Sequence, residues 1–167
     1  MRNARHFSDI VSLGIPIFTT PPGAAVPGDS SPYTCSWNEL FTAFEVDAKR
    51  RALLETFSEA IRRYSTDVQF ECALIGGSFI DMRIQDPRDI DCLIFYSANL
   101  GVPPQPGRLR ELNAELQRKL IDARLCPTDC GTQLMVQMAS YYTNIYCASD
   151  NPYRRGIGLL LVDLQGL

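Results

Sequence analysis

The residues best suited to chemistry in this chain lie between Gly77 and Asp91. A short apolar run, Phe70 to Ile75, ends in Gly76-Gly77-Ser78, and a ten-residue connection carrying Asp86-Pro87 follows Ser78. Asp89 and Asp91 then stand two apart at the head of a second apolar run, Ile90 to Tyr96. Glycines let a backbone come close to a ligand, and the exposed amides of such a turn cradle phosphate. Residues i and i+2 of a strand share a face, so the two carboxylates converge. Anions held that close repel unless a cation lies between them, and oxygen ligands beside phosphate favour Mg2+ over zinc. Taken separately, each half has a plainer reading. Gly76-Gly77 alone is a tight turn, and Asp89-x-Asp91 alone is a turn cap with a surface ion pair.

Other chemistries fare worse. His6 is the only histidine, which leaves no Ser-His or Cys-His nucleophile system in the body of the chain. Cys126-x3-Cys130 has the wrong spacing for a zinc knuckle. The six cysteines are too sparse in 167 residues for a disulfide framework, so reduced thiols in a cytoplasm are expected. No apolar run approaches the roughly 20 residues that span a bilayer, and the first 18 residues make a poor signal peptide. The net charge of −3 gives no overall attraction to nucleic acid. Six acids and only two bases lie between Asp67 and Tyr96, so the negative charge gathers around the motif. Fourteen of the 16 basic residues are Arg, a bias that suits either base composition or a need for forked donors.

The elements that must position these residues follow from pattern. Residues 1–35 are rich in Pro, Gly and Ser and read as an extended arm that wraps the domain or binds a partner, ahead of one domain over 36–167. Ser36-Trp37-Asn38-Glu39 is a capping box, which predicts a helix from Trp37 to about Phe44 with Trp37 as a core anchor. Helical spacing of Leu53, Leu54, Phe57, Ala60, Ile61 and Tyr64 predicts a second helix from Ala48 to Tyr64, with Arg50 among the residues facing outward. The runs at 70–75 and 90–96 are strands, with Cys92 pointing away from the acids. Leu109, Leu112, Leu116 and Leu120 extend a helix to about Ala123. Thr132 to Met138 suits a third strand, Ala139 to Cys147 is ambiguous or a short helix, and Gly156 to Leu164 is a closing strand. The fold class is α/β (α+β): a small, mixed, twisted sheet with helices mainly on one face.

Gly77-Ser78, ten residues, then Asp89-x-Asp91 resembles the GS-x10-DxD signature of the nucleotidyltransferase superfamily. That superfamily includes DNA polymerase beta, poly(A) polymerases, aminoglycoside nucleotidyltransferases and the minimal nucleotidyltransferases of toxin–antitoxin pairs. The wider chain, from about Phe18 to Leu164, looks like a bacterial and phage branch of it. The matching positions are Pro22-Gly23, Trp37-Asn38-Glu39-Leu40, Phe44, Arg51, Leu53-Leu54, Gly77-Ser78-Phe79, Pro87, Asp89-Ile90-Asp91 and Arg155-Gly156-Ile157.

The resemblance implies transfer of a nucleoside monophosphate from a nucleoside triphosphate to an acceptor hydroxyl on protein or RNA, with two Mg2+ ions. Gly77 and Ser78 would hold the β- and γ-phosphates, and Asp89 and Asp91 the metal ions. Read from position alone, Arg88 and Arg83 are either contacts to the triphosphate or solvent-facing arginines, and Arg154-Arg155 is either a second phosphate contact or an ordinary basic turn. The superfamily's third carboxylate is expected at Asp129, just before the third strand; Asp122 is the alternative, placed on the preceding helix. A toxin–antitoxin or phage-defence setting, with a partner protein encoded nearby, is expected by analogy. Two other readings stand beside this one: a non-catalytic binding module such as an antitoxin, immunity or regulatory subunit, and a small-molecule enzyme of the aminoglycoside type.

Overall fold

Local signals at the helix starts are used as written. In the computed structural model, which describes residues 6–21, 26–99, 103–147 and 156–167, the elements in chain order are α1 (Phe7–Ser12), β1 (Tyr33–Ser36), α2 (Trp37–Phe44), α3 (Ala48–Tyr64), β2 (Val68–Gly76), β3 (Ile90–Ala98), α4 (Pro106–Arg118), β4 (Ile121–Pro127), α5 (Thr132–Cys147) and β5 (Leu160–Asp163). The Ser36 hydroxyl accepts from the Glu39 amide while the Glu39 carboxylate accepts from the Ser36 amide, a complete capping box. Asp47 caps α3 by accepting from the Arg50 amide at 2.7 Å. Both arrangements satisfy amides that have no partner within the helix.

The strands form one mixed sheet in the order β1-β5-β2-β3-β4. β2 is antiparallel to both β3 and β5, whereas β1 runs parallel to β5 and β4 parallel to β3. Helices α1 to α4 pack on one face over Phe44, Leu54, Phe57, Ile90, Cys92, Ile94 and Val162. Trp37 stacks on Phe57 with ring centroids 5.5 Å apart, the anchoring role its position suggested. The other face carries α5 alone, over Leu74, Leu93, Cys126 and Leu159. All six cysteines are free.

The structure departs from the sequence reading in four places. First, α4 stops at Arg118, not near Ala123. Leu112 and Leu116 are buried, but Leu120 is 51% exposed with φ +62°, so the fourth leucine of the stripe ends the helix by turning left-handed. Residues 121–127 therefore become β4, a strand whose Ile121, Ala123 and Leu125 alternate toward the four-helix core. Second, the expected strand at 132–138 is the first half of helix α5, which starts after Gly131 at φ +88°. Third, the N-terminal segment is not simply an arm. Phe7, Ile10 and Ile15 enter the main core, and Tyr33–Ser36 is an edge strand of the sheet. Fourth, Arg50 is buried at 2% exposure, not outward-facing.

Candidate functional site

The site grows from the turn at the end of β2. Gly76 pairs with Asp91 across the β2–β3 ladder, and the chain then turns through a 3-10 segment, Gly77–Phe79. Gly77 has φ +71°, a region side chains avoid, and a Cβ there would overlap the Asp91 carboxylate. Gly77 is thus required twice, by the turn and by the acid lying against it. A Cβ on Gly76 would meet Tyr146 Cβ at 2.6 Å, so the end of α5 rests on the neighbouring glycine.

The carboxylates converge through two different mechanisms. Asp89 and Asp91 share a face because they are two residues apart at the start of β3. Asp122 joins them through register: in the parallel β3–β4 pair, Asp91 is the partner of Asp122. Neighbouring strands lie about 4.8 Å apart, and partners in register project to the same face. Asp91 is half-buried, and its carboxyl is pushed up to about 6 by burial first and then by the charges of Asp89 and Asp122, partly offset by Arg124. Three acids therefore act on one spot, and neither Asp89 nor Asp91 has an ion pair among the described residues. Asp122 does: Arg124, two residues further along the same strand face, binds its Oδ1.

Roofing this spot is the last turn of α5. Burial, and beyond it the charges of Cys92, Asp91 and Asp122, hold the Tyr146 phenol protonated. Tyr142 lies against Tyr146, with ring centroids 5.6 Å apart, and Tyr141 is exposed. The donor set is oxygen only, which fits Mg2+ in preference to zinc. As placed, no three His, Cys, Asp or Glu side chains among the described residues form a group that could hold a metal ion. Among the described residues, the pairing of Asp122 with Arg124 leaves two carboxylates without an ion pair and one that is held.

Several residues singled out from sequence stand elsewhere. Asp129 follows the end of β4, in the turn where Thr128 donates to the Tyr96 carbonyl. Five residues of strand from Asp122 to Pro127 put it more than about 15 Å from the Asp91–Asp122 pair, at the opposite end of the sheet. Asp129 is thus not brought to the other acids, because the strand runs before it and not after it. Arg88 is exposed just ahead of Asp89, without an ion pair among the described residues, and Arg83 is bound to Asp81. Pro22-Gly23 and Arg154-Arg155 lie outside the described residues. Cys92 is fully buried on the opposite face from Asp91, as alternation requires. An apolar groove of about 730 Å3 runs beside α5 between Leu74, Phe95, Met135 and Ala139, and is not lined by Asp89, Asp91 or Asp122.

Two residues of the site were weakly marked or unmarked in the sequence. The alternation of Ile121, Ala123 and Leu125 with Asp122, Arg124 and Cys126 is a period-two signal for a strand, overridden by the leucine stripe of α4. Arg50 carried no signal of burial at all. Its guanidinium reaches the connection between Ser78 and Asp89, a long-range contact that helical periodicity does not encode.

The fold and site define a mixed α/β domain whose glycine turn and convergent acids lie at one end of a central hairpin. By sequence the chain belongs to a family of unknown function, DUF6932, which matches residues 16–158. No curated protein and no solved structure matches it.

Proposed function

We propose that this protein transfers a nucleoside monophosphate from a nucleoside triphosphate to a hydroxyl on a protein or RNA acceptor. The observation that carries the reading is the in-register pairing of Asp91 with Asp122, beside Asp89 and against Gly77. A glycine turn next to three oxygen-donor acids is the arrangement that phosphoryl chemistry needs: amides for the phosphates and carboxylates for a cation. Mg2+ held among Asp89, Asp91 and Asp122 would offset their charge and that of the triphosphate.

In this reading Gly77 and Ser78 hold the β- and γ-phosphates, and the carboxylates stay ionised on the sheet face beside them. The acceptor oxygen bonds to the α-phosphorus, the bond from that phosphorus to the bridging oxygen breaks, and pyrophosphate leaves. Asp122 takes the acceptor's proton, replacing Asp129 in the role of third acid, and Arg124 steadies its carboxylate. α5 helps to exclude water over Tyr146. The acceptor's identity, and a toxin–antitoxin or phage-defence setting, belong to the same proposal.

Incubation of the protein and Mg2+ with each α-labelled nucleoside triphosphate and cell lysate tests it. Label is expected on protein or RNA, and Asp91→Asn and Asp122→Asn each remove it. Absence of both transfer and metal-dependent triphosphate binding by calorimetry would overturn the reading. A second reading draws on the Asp122–Arg124 ion pair and on the lack, among the described residues, of three acids placed to hold a metal ion: the domain binds nucleotide without turning it over. Metal-dependent binding without transfer to any fraction would favour it.

A further inference from the structure

Arg50 sits in the first turn of α3 and is buried, where an arginine that is not paired and hydrogen-bonded would be costly. Its guanidinium is fully engaged instead. Nε donates to the Phe79 carbonyl at 2.7 Å, and Nη2 donates to the carbonyls of Asp81 at 2.9 Å and Ile84 at 2.8 Å. Nη1 binds the Asp47 carboxylate, the same group that caps α3. All three carbonyls belong to the connection that joins Gly77-Ser78 to Asp89-x-Asp91. A planar guanidinium presents its donors in a fixed fork, so it sets the positions of these carbonyls relative to one another.

Peptide groups are planar and trans, so a carbonyl turned toward Arg50 sends the next residue's N–H the other way. The amides of Ile80, Met82 and Gln85 therefore point away from the guanidinium. The Gly77–Phe79 turn is held at both ends. Gly76 is tied to Asp91 by the ladder, while Phe79 is tied to Arg50 through its carbonyl and to Phe44 by ring stacking at 5.5 Å. Ser78, between the two ties, is half-exposed, and its own carbonyl accepts from Arg50 Nη2 at 3.5 Å.

We propose that Arg50 is the positioning residue of this site: it clamps the connection between the two motif halves so that the Gly77–Phe79 turn is preset for a triphosphate. The proposal rests on the nucleotidyltransferase reading above and adds a residue that touches no substrate. It separates two properties that a general loss of fold would move together. Cation binding depends on Asp89, Asp91 and Asp122, which two-residue spacing and the β3–β4 register bring together. Triphosphate binding depends also on the turn.

Arg50→Lys keeps the charge and loses the fork. The full-length variant, checked for native circular dichroism, is compared with wild type for Mn2+ binding by electron paramagnetic resonance and for ATP–Mn2+ binding by calorimetry. The expected result is Mn2+ affinity within about twofold of wild type and ATP affinity lower by about tenfold or more, since small misplacements at such sites have large effects. Glu115→Gln, which loosens a buried cluster on α4 away from the site, should lower the melting temperature without changing ATP affinity. In Arg50→Ala, millimolar guanidinium should restore ATP binding, and methylammonium should not. Equal ATP affinity in Arg50→Lys, or parallel loss of Mn2+ and ATP, would overturn the proposal while leaving the nucleotidyltransferase reading intact. If neither Arg50 variant folds, hydrogen exchange on wild type decides: saturating ATP–Mn2+ must slow exchange of amides 78–85, and unchanged exchange there overturns it. Failure of wild type to bind ATP–Mn2+ at all would remove both.

Discussion

The two faces of the sheet are built for different purposes. The face under α1 to α4 is closed and dry: Phe44, Leu54, Phe57, Ile90, Ile94 and Leu112 are each fully buried there. The face under α5 is thinly covered. α5 carries no charged residue, buries only Tyr146 outright, and leaves Leu134, Tyr141 and Ile145 exposed. Yet this thinner face holds Asp91, Asp122 and Arg124. Strand alternation explains the division. On β3 and β4, each residue that serves the core has a neighbour that must face the other way, and only a lightly covered face can hold half-buried acids at tolerable cost. One face holds the domain together, and the other is available for chemistry.

The largest effect should separate the faces by stability. Phe57→Ala removes a ring stacked on Trp37 and is expected to cost about 3–5 kcal/mol, whereas Met135→Ala, half-exposed on α5, should cost under about 1 kcal/mol. Urea denaturation of both variants checks the contrast, and equal losses would break it. Gly77→Ala comes next. It forces a side chain into φ +71° and into the Asp91 carboxylate, with an expected loss of about 1–3 kcal/mol. The same variant should lose ATP binding, which calorimetry would register separately from the melting temperature.

Asp91 offers a smaller effect of opposite sign. Its folded carboxyl titrates at about 6 against an ordinary value of 3.8, so between those limits the folded chain binds more protons than the unfolded one. Stability should therefore fall as pH rises from about 4 to about 6, and the penalty should be complete at pH 7. Asp91→Asn is expected to stabilise by about 1 kcal/mol at pH 7, after allowance for solvent screening of a half-exposed group, and by nothing at pH 3.5. Melting curves at both pH values test this. Mg2+ should raise the melting temperature of wild type and not that of the variant. Smallest of all, Asp129→Asn should leave stability within about 0.5 kcal/mol and metal binding unchanged, because Asp129 is exposed at the far end of the sheet. A loss of metal binding in that variant would contradict the assignment of Asp122 as the third acid.

Much of the molecule was legible in advance where the signal is local. The capping box at Ser36 and the apolar period of α3 placed both helices at the observed limits, because caps and helical faces are written within a few residues. The hairpin that carries the glycine turn and the acid pair was equally readable, since strand period and turn glycines act over the same short range. The errors over residues 119–138 share one cause. The leucine stripe of α4 continues to Leu120, and nothing local says that this leucine will turn left-handed and lie exposed. Misplacing that helix end displaced the next two elements, and with them the choice between Asp122 and Asp129.

The amino-acid sequence by itself determined which residues could do chemistry here: a Gly-Ser turn and two acids at strand spacing, with a single histidine, His6, far away in sequence and no zinc-type cysteine set to compete. Tertiary structure alone decided how those residues are completed. Asp122 joins Asp91 because two parallel strands take a particular register, across thirty-one positions of chain. Arg50 meets the carbonyls of Phe79, Asp81 and Ile84 because the start of α3 packs against the connection after β2. Both depend on packing and register between distant segments, which periodicity within either segment does not encode.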